Sequence, residues 1–261
     1  MLKGLLEAIG VYKVYEWWLE SQIQGSKNLP QHISLILDGN RRWAGEYDLP
    51  SWMGHRAGAD KVEQLLGWCL ELGIKTLTLF VFSTENFERP EREVEEIMRL
   101  CEEKLRRVIE DERIHKEMVR VKALGRLDLL PKTVQDLIQN VEADTACYDK
   151  HWLNIAIAYG GRKEIVDAVR KVGQRILRGE LKPEEVNEEV LEMNLYTAHL
   201  PNPEPDLIIR TSGEERLSGF LIWQSAYSEL CFLDVYWPSF RRIDLLRAIR
   251  TYQQRLRRFG R

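Results

Sequence analysis

Long apolar runs are missing from this chain, and no stretch approaches the roughly 20 consecutive apolar residues that a membrane-spanning helix needs. The N-terminus also lacks the basic region, apolar run and small-residue cleavage site of a secretory signal, so a cytoplasmic protein is expected. Cysteine is sparse. Cys69, Cys101, Cys147 and Cys231 lie far apart with no CxxC pair, which argues against a zinc knuckle or thioredoxin-type site and fits thiols kept in a reducing compartment. Charge of one sign is lacking too. Lys plus Arg number 38 and Asp plus Glu 41, a net charge of −3, so there is no general nucleic-acid signal and no nucleic-acid partner is expected. The basic residues do concentrate near the end, over 241–261. GxGxxG after the first strand, GxxxxGK[ST], GxSxG and HExxH are all absent, which removes the usual signatures of dinucleotide-binding, P-loop, α/β-hydrolase and zinc-protease chemistry.

What is present is a 261-residue chain, 44% apolar, in which short apolar segments alternate with longer helical ones. Residues 33–37, 76–82, 118–124, 152–158 and 206–210 read as strands, with shorter candidates at 220–223 and 233–236. Between them Val62, Leu65, Leu66, Cys69 and Leu72 make a helical face closed by Gly73. One long charged helix is expected over 91–116, where Pro90 and the acidic Glu91 and Glu93 suit a helix start. Residues 131–141 form another helix. A further one follows Gly160 and Gly161, with Ile165, Val169, Val172 and Ile176 turned inward. Leu245, Ile249, Tyr252, Leu256 and Phe259 share the stripe of a closing helix. This alternation predicts an α/β fold, a single domain with a mainly parallel central sheet flanked by helices. Ahead of it, residues 1–28 read as an amphipathic helical extension to a domain spanning 29–261. Its stripe of Leu2, Leu5, Leu6, Ile9 and Tyr12, followed by Trp17 and Trp18, suits docking on the domain, and peripheral contact with a membrane surface is the other expectation.

Polar residues cluster where strands end, the usual place for ligands in such sheets. Asp38 follows ISLIL and is placed to bind a hard cation. Gly39 and Asn40 allow a tight turn with exposed amides, and Arg41 and Arg42 suit a diphosphate. A solvated turn at a helix start would use the same residues. His55, between Gly54 and Gly58, is a candidate phosphate donor or proton shuttle. Ser83, Thr84, Glu85, Asn86 and Arg89 end another strand, although loop capping explains Ser83, Thr84 and Asn86 equally well. Arg210, Arg216 and Ser218 form a second candidate anion cradle. Glu229 is a candidate to complete a magnesium site with Asp38.

Taken together, DGNRRWA, GHRAGA, TLFVFSTENFERP, LNIAIAYGGRKEIVDAVR, the segment from DLIIRTSGE to QSAYSEL and the closing RRFG resemble the cis-prenyltransferase family, which includes undecaprenyl diphosphate synthase. The resemblance implies a sheet of about six strands, a homodimer, and a hydrophobic tunnel for a growing chain. It implies Mg²⁺, isopentenyl diphosphate and an allylic prenyl diphosphate, joined repeatedly into a long Z-polyprenyl diphosphate. Asp38 would be the magnesium-binding aspartate, with Glu229 as second ligand. Gly39, Asn40, Arg41, Arg42, Trp43, His55 and Arg89 would hold the allylic diphosphate, and Ser83, Thr84, Glu85 and Phe87 belong to the same substrate-binding set. Asn86 matches an asparagine implicated in proton removal. Arg210, Arg216, Leu217 and Ser218 would hold isopentenyl diphosphate, joined by Arg258 and Gly260 of the terminal arginine–glycine pair. Ser51, Glu215 and Gly219 depart from the bacterial pattern and look more like an archaeal or eukaryotic-type member. A non-catalytic partner subunit is the alternative, against which the retained Asp38, Asn86, Arg89, Arg210, Arg216 and Glu229 speak.

Overall fold

The computed structural model describes residues 11–255 apart from Lys27. The chain runs through α1 (Val11–Gln24), β1 (His32–Ile36), α2 (Asn40–Glu46), α3 (Ser51–Glu71), β2 (Thr76–Ser83), α4 (Glu91–Glu110), α5 (Glu112–Lys116) and β3 (Val119–Leu124). It continues through α6 (Lys132–Asp144), β4 (His151–Tyr159), α7 (Gly161–Leu177), α8 (Glu188–Glu192), β5 (Leu207–Arg210), β6 (Glu229–Phe232) and α9 (Arg242–Gln254). The strands form one six-stranded sheet in the order β3-β4-β2-β1-β5-β6, and every pairing is parallel. β1 shows why. All five residues of HISLI are buried, as a central parallel strand covered on both faces requires. After β1 the chain moves toward β2; after β4 it crosses to the other side of β1 to lay down β5. Connections therefore diverge at the C-terminal ends of β1 and β5, which opens a crevice there.

The main core lies on one sheet face, where Leu35, Leu79 and Leu153 join residues of α3, α4, α6 and α9. α1 seals its edge through buried Leu19 and Ile23, and Glu20 pairs with Arg242 of α9 at 2.9 Å. The stripe residues Leu2, Leu5, Leu6 and Ile9, and Leu256 and Phe259, lie outside the described residues. On the opposite face a polar layer is sewn together by directed hydrogen bonds. Asn154 Nδ2 donates to Thr78 Oγ1 (3.0 Å), the Thr78 hydroxyl reaches His32 Nε2 (2.8 Å), and His32 Nδ1 donates to the Asn202 carbonyl (3.1 Å). This arrangement fixes a neutral imidazole. Burial pushes His32 down from 6.5 to about 4, the Asn202 bond opposing. Between those values the unfolded chain holds the extra proton, so acid destabilises the fold in that window. The urea midpoint should therefore fall as pH drops from 6.5 toward about 5, above the range where carboxylates titrate. His32→Gln should flatten that slope, and an unaltered slope would contradict the assignment.

Four local expectations change. The helix expected over 91–116 breaks at Asp111 (ψ 107°), whose carboxylate accepts from the Arg113 amide at 3.0 Å and starts α5. Residues 220–223 form turns instead of a strand. Leu221 has φ 45°, and Phe220 stacks on Phe80 with centroids 4.8 Å apart, so the apolar run is a plug for the second core. The last strand is Glu229–Phe232, earlier than 233–236, because Leu233 and Val235 offer their carbonyls to the amides of Gly213 and Ser212. Val169 points outward, 55% exposed; α7 buries Glu164, Ala168 and Val172 instead.

Candidate active site

Asp38 stands at the crevice because its backbone is clamped from β5. Thr211 Oγ1 accepts from the Asp38 amide (3.0 Å) and donates to the Asp38 carbonyl (2.7 Å), which also accepts from the Trp237 amide (3.0 Å). Gly39 follows with φ 99°, and a Cβ there would lie 2.7 Å from the Tyr236 ring, so only glycine suits this turn. Of the Asp38 carboxylate, Oδ1 accepts from the Gly39 amide (2.7 Å) and Oδ2 from Arg210 Nη2 (2.8 Å). Partial burial pushes the carboxyl upward, but the hydrogen bond and charge of Arg210, with smaller help from Ser212 and Gly39, hold it below the usual range. It is ionised.

Arg210 ends β5 and is 4% exposed. Its Nη1 donates to Ser218 Oγ (2.9 Å) and to the Arg216 carbonyl, while its Nε is buried with no partner among the described residues. Two non-glycine residues beside it are left-handed, Ser212 (φ 79°) and Ser218 (φ 48°). Such strain persists where the surroundings over-determine the backbone, as they do here. Arg42 leans to this side. It donates to Ser212 Oγ at 2.7 Å, lies 3.5 Å from Glu214 and stacks over Tyr236.

Arg41 goes the other way. Glu93, in the first turn of α4 with its side chain 10% exposed, gathers His55 (3.1 Å), Arg89 (3.2 Å) and Arg41 (4.0 Å). Burial holds the His55 imidazole below its usual range, the Glu93 bond opposing. α2 and α3 deliver these side chains because they approach very closely. A Cβ on Gly54 would sit 2.1 Å from the Asn40 carbonyl oxygen, and one on Gly58 2.2 Å from Asn40 Oδ1. Asp38 thus lies between two cationic groups, one around Arg210 and one around Glu93.

A cavity of about 1090 Å³ leads away from these charges. Asp38, Gly39, Asn40, Arg41, Arg42, His55, Ser83, Glu85, Asn86, Arg89, Arg210 and Ser218 line its polar end, together with Ser51. Beyond them it runs between the sheet and α3 and α4, past Val62, Leu66, Leu79, Ile97 and Cys101, to Val141 and Ile114. A polar head and a long apolar body describe an amphiphile's site.

Other expected residues fall elsewhere. Asn86 accepts from the Ser83 amide (3.1 Å) and so caps the turn while bordering the cavity. The Thr84 hydroxyl is buried without a partner among the described residues. Phe87 packs edge-on to Phe82, Trp43 lies against Tyr47, and Leu217 joins the cluster around Phe220. Arg216 turns outward to Glu214, and Glu215 is exposed. Glu229 is not brought to Asp38 within the chain. It opens β6 level with Ile33, about five residues of strand rise or roughly 16 Å short of Asp38, and Arg255 holds it at 3.0 Å. The shared magnesium site expected of these two carboxylates is therefore not formed by one chain. Arg258 and Gly260 lie outside the described residues. Thr211, Ser212 and Tyr236 have no expected site role in the sequence, and Glu93 is expected there only as a helix-start residue. Only Glu93 left a usable signal, its place four residues after Arg89.

The family model described as "Putative undecaprenyl diphosphate synthase" matches residues 36–260. The chain belongs to the cis-prenyltransferase family. A protein of Methanocaldococcus jannaschii, named tritrans,polycis-undecaprenyl-diphosphate synthase (geranylgeranyl-diphosphate specific), is 54% identical over 98% of this chain and 91% of its own. Its counterpart of the same name in Methanopyrus kandleri is 53% identical over 96% and 92%. Among solved structures, lavandulyl diphosphate synthase from Lavandula x intermedia, in complex with dimethylallyl diphosphate, superposes with a TM-score of 0.86 at 35% identity. That match covers 89% of this chain and 99% of the plant enzyme. The protein is a cis-prenyltransferase enzyme, condensing isopentenyl diphosphate onto an allylic diphosphate. Its expected α/β sheet of six strands is the family's fold.

Proposed function

We propose that this cis-prenyltransferase extends geranylgeranyl diphosphate by repeated addition of isopentenyl diphosphate, making a long Z-polyprenyl diphosphate in a Mg²⁺-dependent reaction. One observation carries the reading: an ionised Asp38 flanked by two cationic groups at the mouth of an apolar tunnel. Arg41, His55 and Arg89 would hold the allylic diphosphate, with the Gly39 and Asn40 turn beside it. Arg210 and Ser218, joined by Arg216 and the terminal Arg258 and Gly260, would hold the isopentenyl diphosphate. The archaeal relatives' printed specificity supports the starter.

Among the described residues no group of three His, Cys, Asp or Glu side chains comes together. Asp38 fits Mg²⁺ all the same, since that ion commonly takes one or two carboxylates alongside substrate phosphates and waters. Bound there, it would supply positive charge to a departing diphosphate. The protein's own part is to place the allylic C1 against the isopentenyl double bond. As the new carbon–carbon bond forms, the allylic C–O bond breaks, diphosphate leaves, and a proton is lost from the former isopentenyl group. Asn86, on the turn bordering the cavity, would help to remove that proton, with the leaving diphosphate as the base that takes it. Arg42, held by Ser212 and Tyr236 on the Arg210 side, would give further charge there.

A homodimer suits the exposed apolar Val166 and Val169 on α7 and Ile222 beside it. Exposed Trp17 (69%) and Val14 (66%) on α1 suit peripheral contact with a membrane, and no helix of the described residues is long and apolar enough to cross one. Purified protein given Mg²⁺, labelled isopentenyl diphosphate and geranylgeranyl diphosphate should yield an elongated series by mass spectrometry. The same sample should sediment at twice the chain mass, and a Val14→Ser, Trp17→Ser variant, altered only at exposed positions of α1, should float with vesicles less well. No condensation with any allylic starter, from folded dimeric protein, would favour a non-catalytic partner subunit.

A further inference from the structure

The tunnel wall between α3 and α4 is built unlike the sheet wall. The sheet side is apolar, with Leu79 and Leu153 on the cavity, while the far end sets Val141 and Ile114 beside Glu110 and Glu142. The α3–α4 seam instead carries a row of ion pairs. Arg56 meets Glu103 at 2.8 Å, Lys104 meets both Asp60 and Glu63 at 2.5 Å, and Arg107 meets Glu63 at 3.4 Å. Lys104 is the most enclosed of the six. Its side chain is 17% exposed, against 55% for Asp60 and 41% for Glu63. It also borders the cavity, so its methylene stem belongs to the apolar path while its ammonium holds two carboxylates of α3.

Length gives this seam its importance. α4 lines the cavity only from Ile97 to Glu110, so it borders about 20 Å of tunnel at 1.5 Å per residue. Each isoprene unit adds four chain carbons, at most about 5 Å at ~1.5 Å per carbon–carbon bond, so roughly four units span that distance. A chain of about eleven units, the undecaprenyl length in the archaeal relatives' names, is more than twice as long. Growth must then stop at the floor or part a wall. Close-packed apolar walls resist opening. Partly solvated ion pairs are individually weak and are screened by salt, so the seam is the wall that yields.

We propose that Lys104 latches a lateral exit between α3 and α4 and thereby sets product length, an inference that rests on the long-chain synthase reading above. Lys104 lies roughly 20 Å along α4 from the diphosphate end, where a starter tail ends and a growing tail begins to press on the seam. Holding the seam shut, it limits the chain to what the tunnel accommodates; releasing it lets the tail pass outward and elongation continue.

Lys104→Met keeps the stem and removes the charge. With Mg²⁺, geranylgeranyl diphosphate and excess isopentenyl diphosphate, the variant's product series by mass spectrometry should shift longer by two or more units. Its first addition should stay within about two-fold of wild type, since the Asp38 crevice is untouched. Raising salt from about 0.05 to about 0.5 M should lengthen wild-type products, as screening weakens the pairs, and move the variant's series less, since only the Arg56–Glu103 and Arg107–Glu63 pairs remain there to be screened. A merely structural lysine would lower the melting temperature without moving the series. Unchanged or shorter products, or equal salt response in both proteins, would overturn the latch. An Asp60→Asn, Glu63→Gln double variant removes the same pairs from α3, together with the Arg107–Glu63 pair, and must reproduce the shift. Wild-type protein that fails to add even one unit would instead overturn the synthase reading.

Discussion

Asp38→Ala should lower kcat/KM at least about a thousand-fold, ~4 kcal/mol of transition-state stabilisation, in protein that still folds. The carboxylate stands between the two cationic groups, it is held ionised by Arg210, and no other carboxylate of the described residues is hydrogen-bonded to that arginine. Removing it takes away the anchor for a divalent ion and releases Arg210 from its crevice-facing position. The fold should survive because little core volume is lost at the sheet rim. Arg210 also keeps Ser218 Oγ and the Arg216 carbonyl, and Thr211 clamps the Asp38 backbone, which alanine retains. Asp38→Asn preserves shape and the acceptor for the Gly39 amide while removing the charge, so it should be nearly as inactive. Initial rates with labelled isopentenyl diphosphate, beside circular dichroism melts, provide the check. Activity close to wild type with Mg²⁺ would remove Asp38 from the chemistry.

For Arg210→Lys, the expected loss is about a hundred-fold in kcat/KM, or roughly 3 kcal/mol, with the isopentenyl diphosphate KM rising most. The substitution keeps the charge and loses the fork. Arg210 divides its nitrogens among Asp38 Oδ2, Ser218 Oγ and the Arg216 carbonyl, and a lysine ammonium, a single compact charge on a shorter reach, does not span all three. Whichever of these part-buried oxygens is left without a donor costs at most about 1–3 kcal/mol, so the melting temperature should fall slightly as well. The left-handed Ser218, whose hydroxyl the arginine holds, should loosen with it. An unchanged KM alongside a lower melting temperature would make Arg210 a structural residue only.

The fold was legible in the sequence wherever burial alone shapes a segment. ISLIL is apolar but for Ser34 because both sheet faces are covered, and the run from Val62 to Leu72 keeps helical spacing because one side faces the core. Reading failed where apolar residues serve a tertiary purpose. Phe220 and Leu221 look like strand residues but plug the second core against Phe80, and Leu233 and Val235 pair with a turn. Asp111 ends α4 through a single cap inside an otherwise unbroken helical pattern. In the site, side chains at strand ends were recognisable one cluster at a time, and the family resemblance supplied their grouping. Local spacing offered nothing about Thr211 clamping Asp38, since 173 residues separate them. Glu229 shows the same gap: its motif gives its company in sequence but not the end of the strand on which it sits, which within one chain lies away from Asp38.

The pairing of Asp38 with Arg210 also has a kinetic side. These partners are 172 residues apart, so their contact carries a large loop-closure cost and raises the contact order of the whole domain. On the ribosome, β1 through β4 emerge first and have one another to pair with, whereas β5 comes only after α7 and α8. The catalytic crevice therefore cannot form until β5 has been made. Until β5 pairs with β1, that edge of β1 is an open template for other strands.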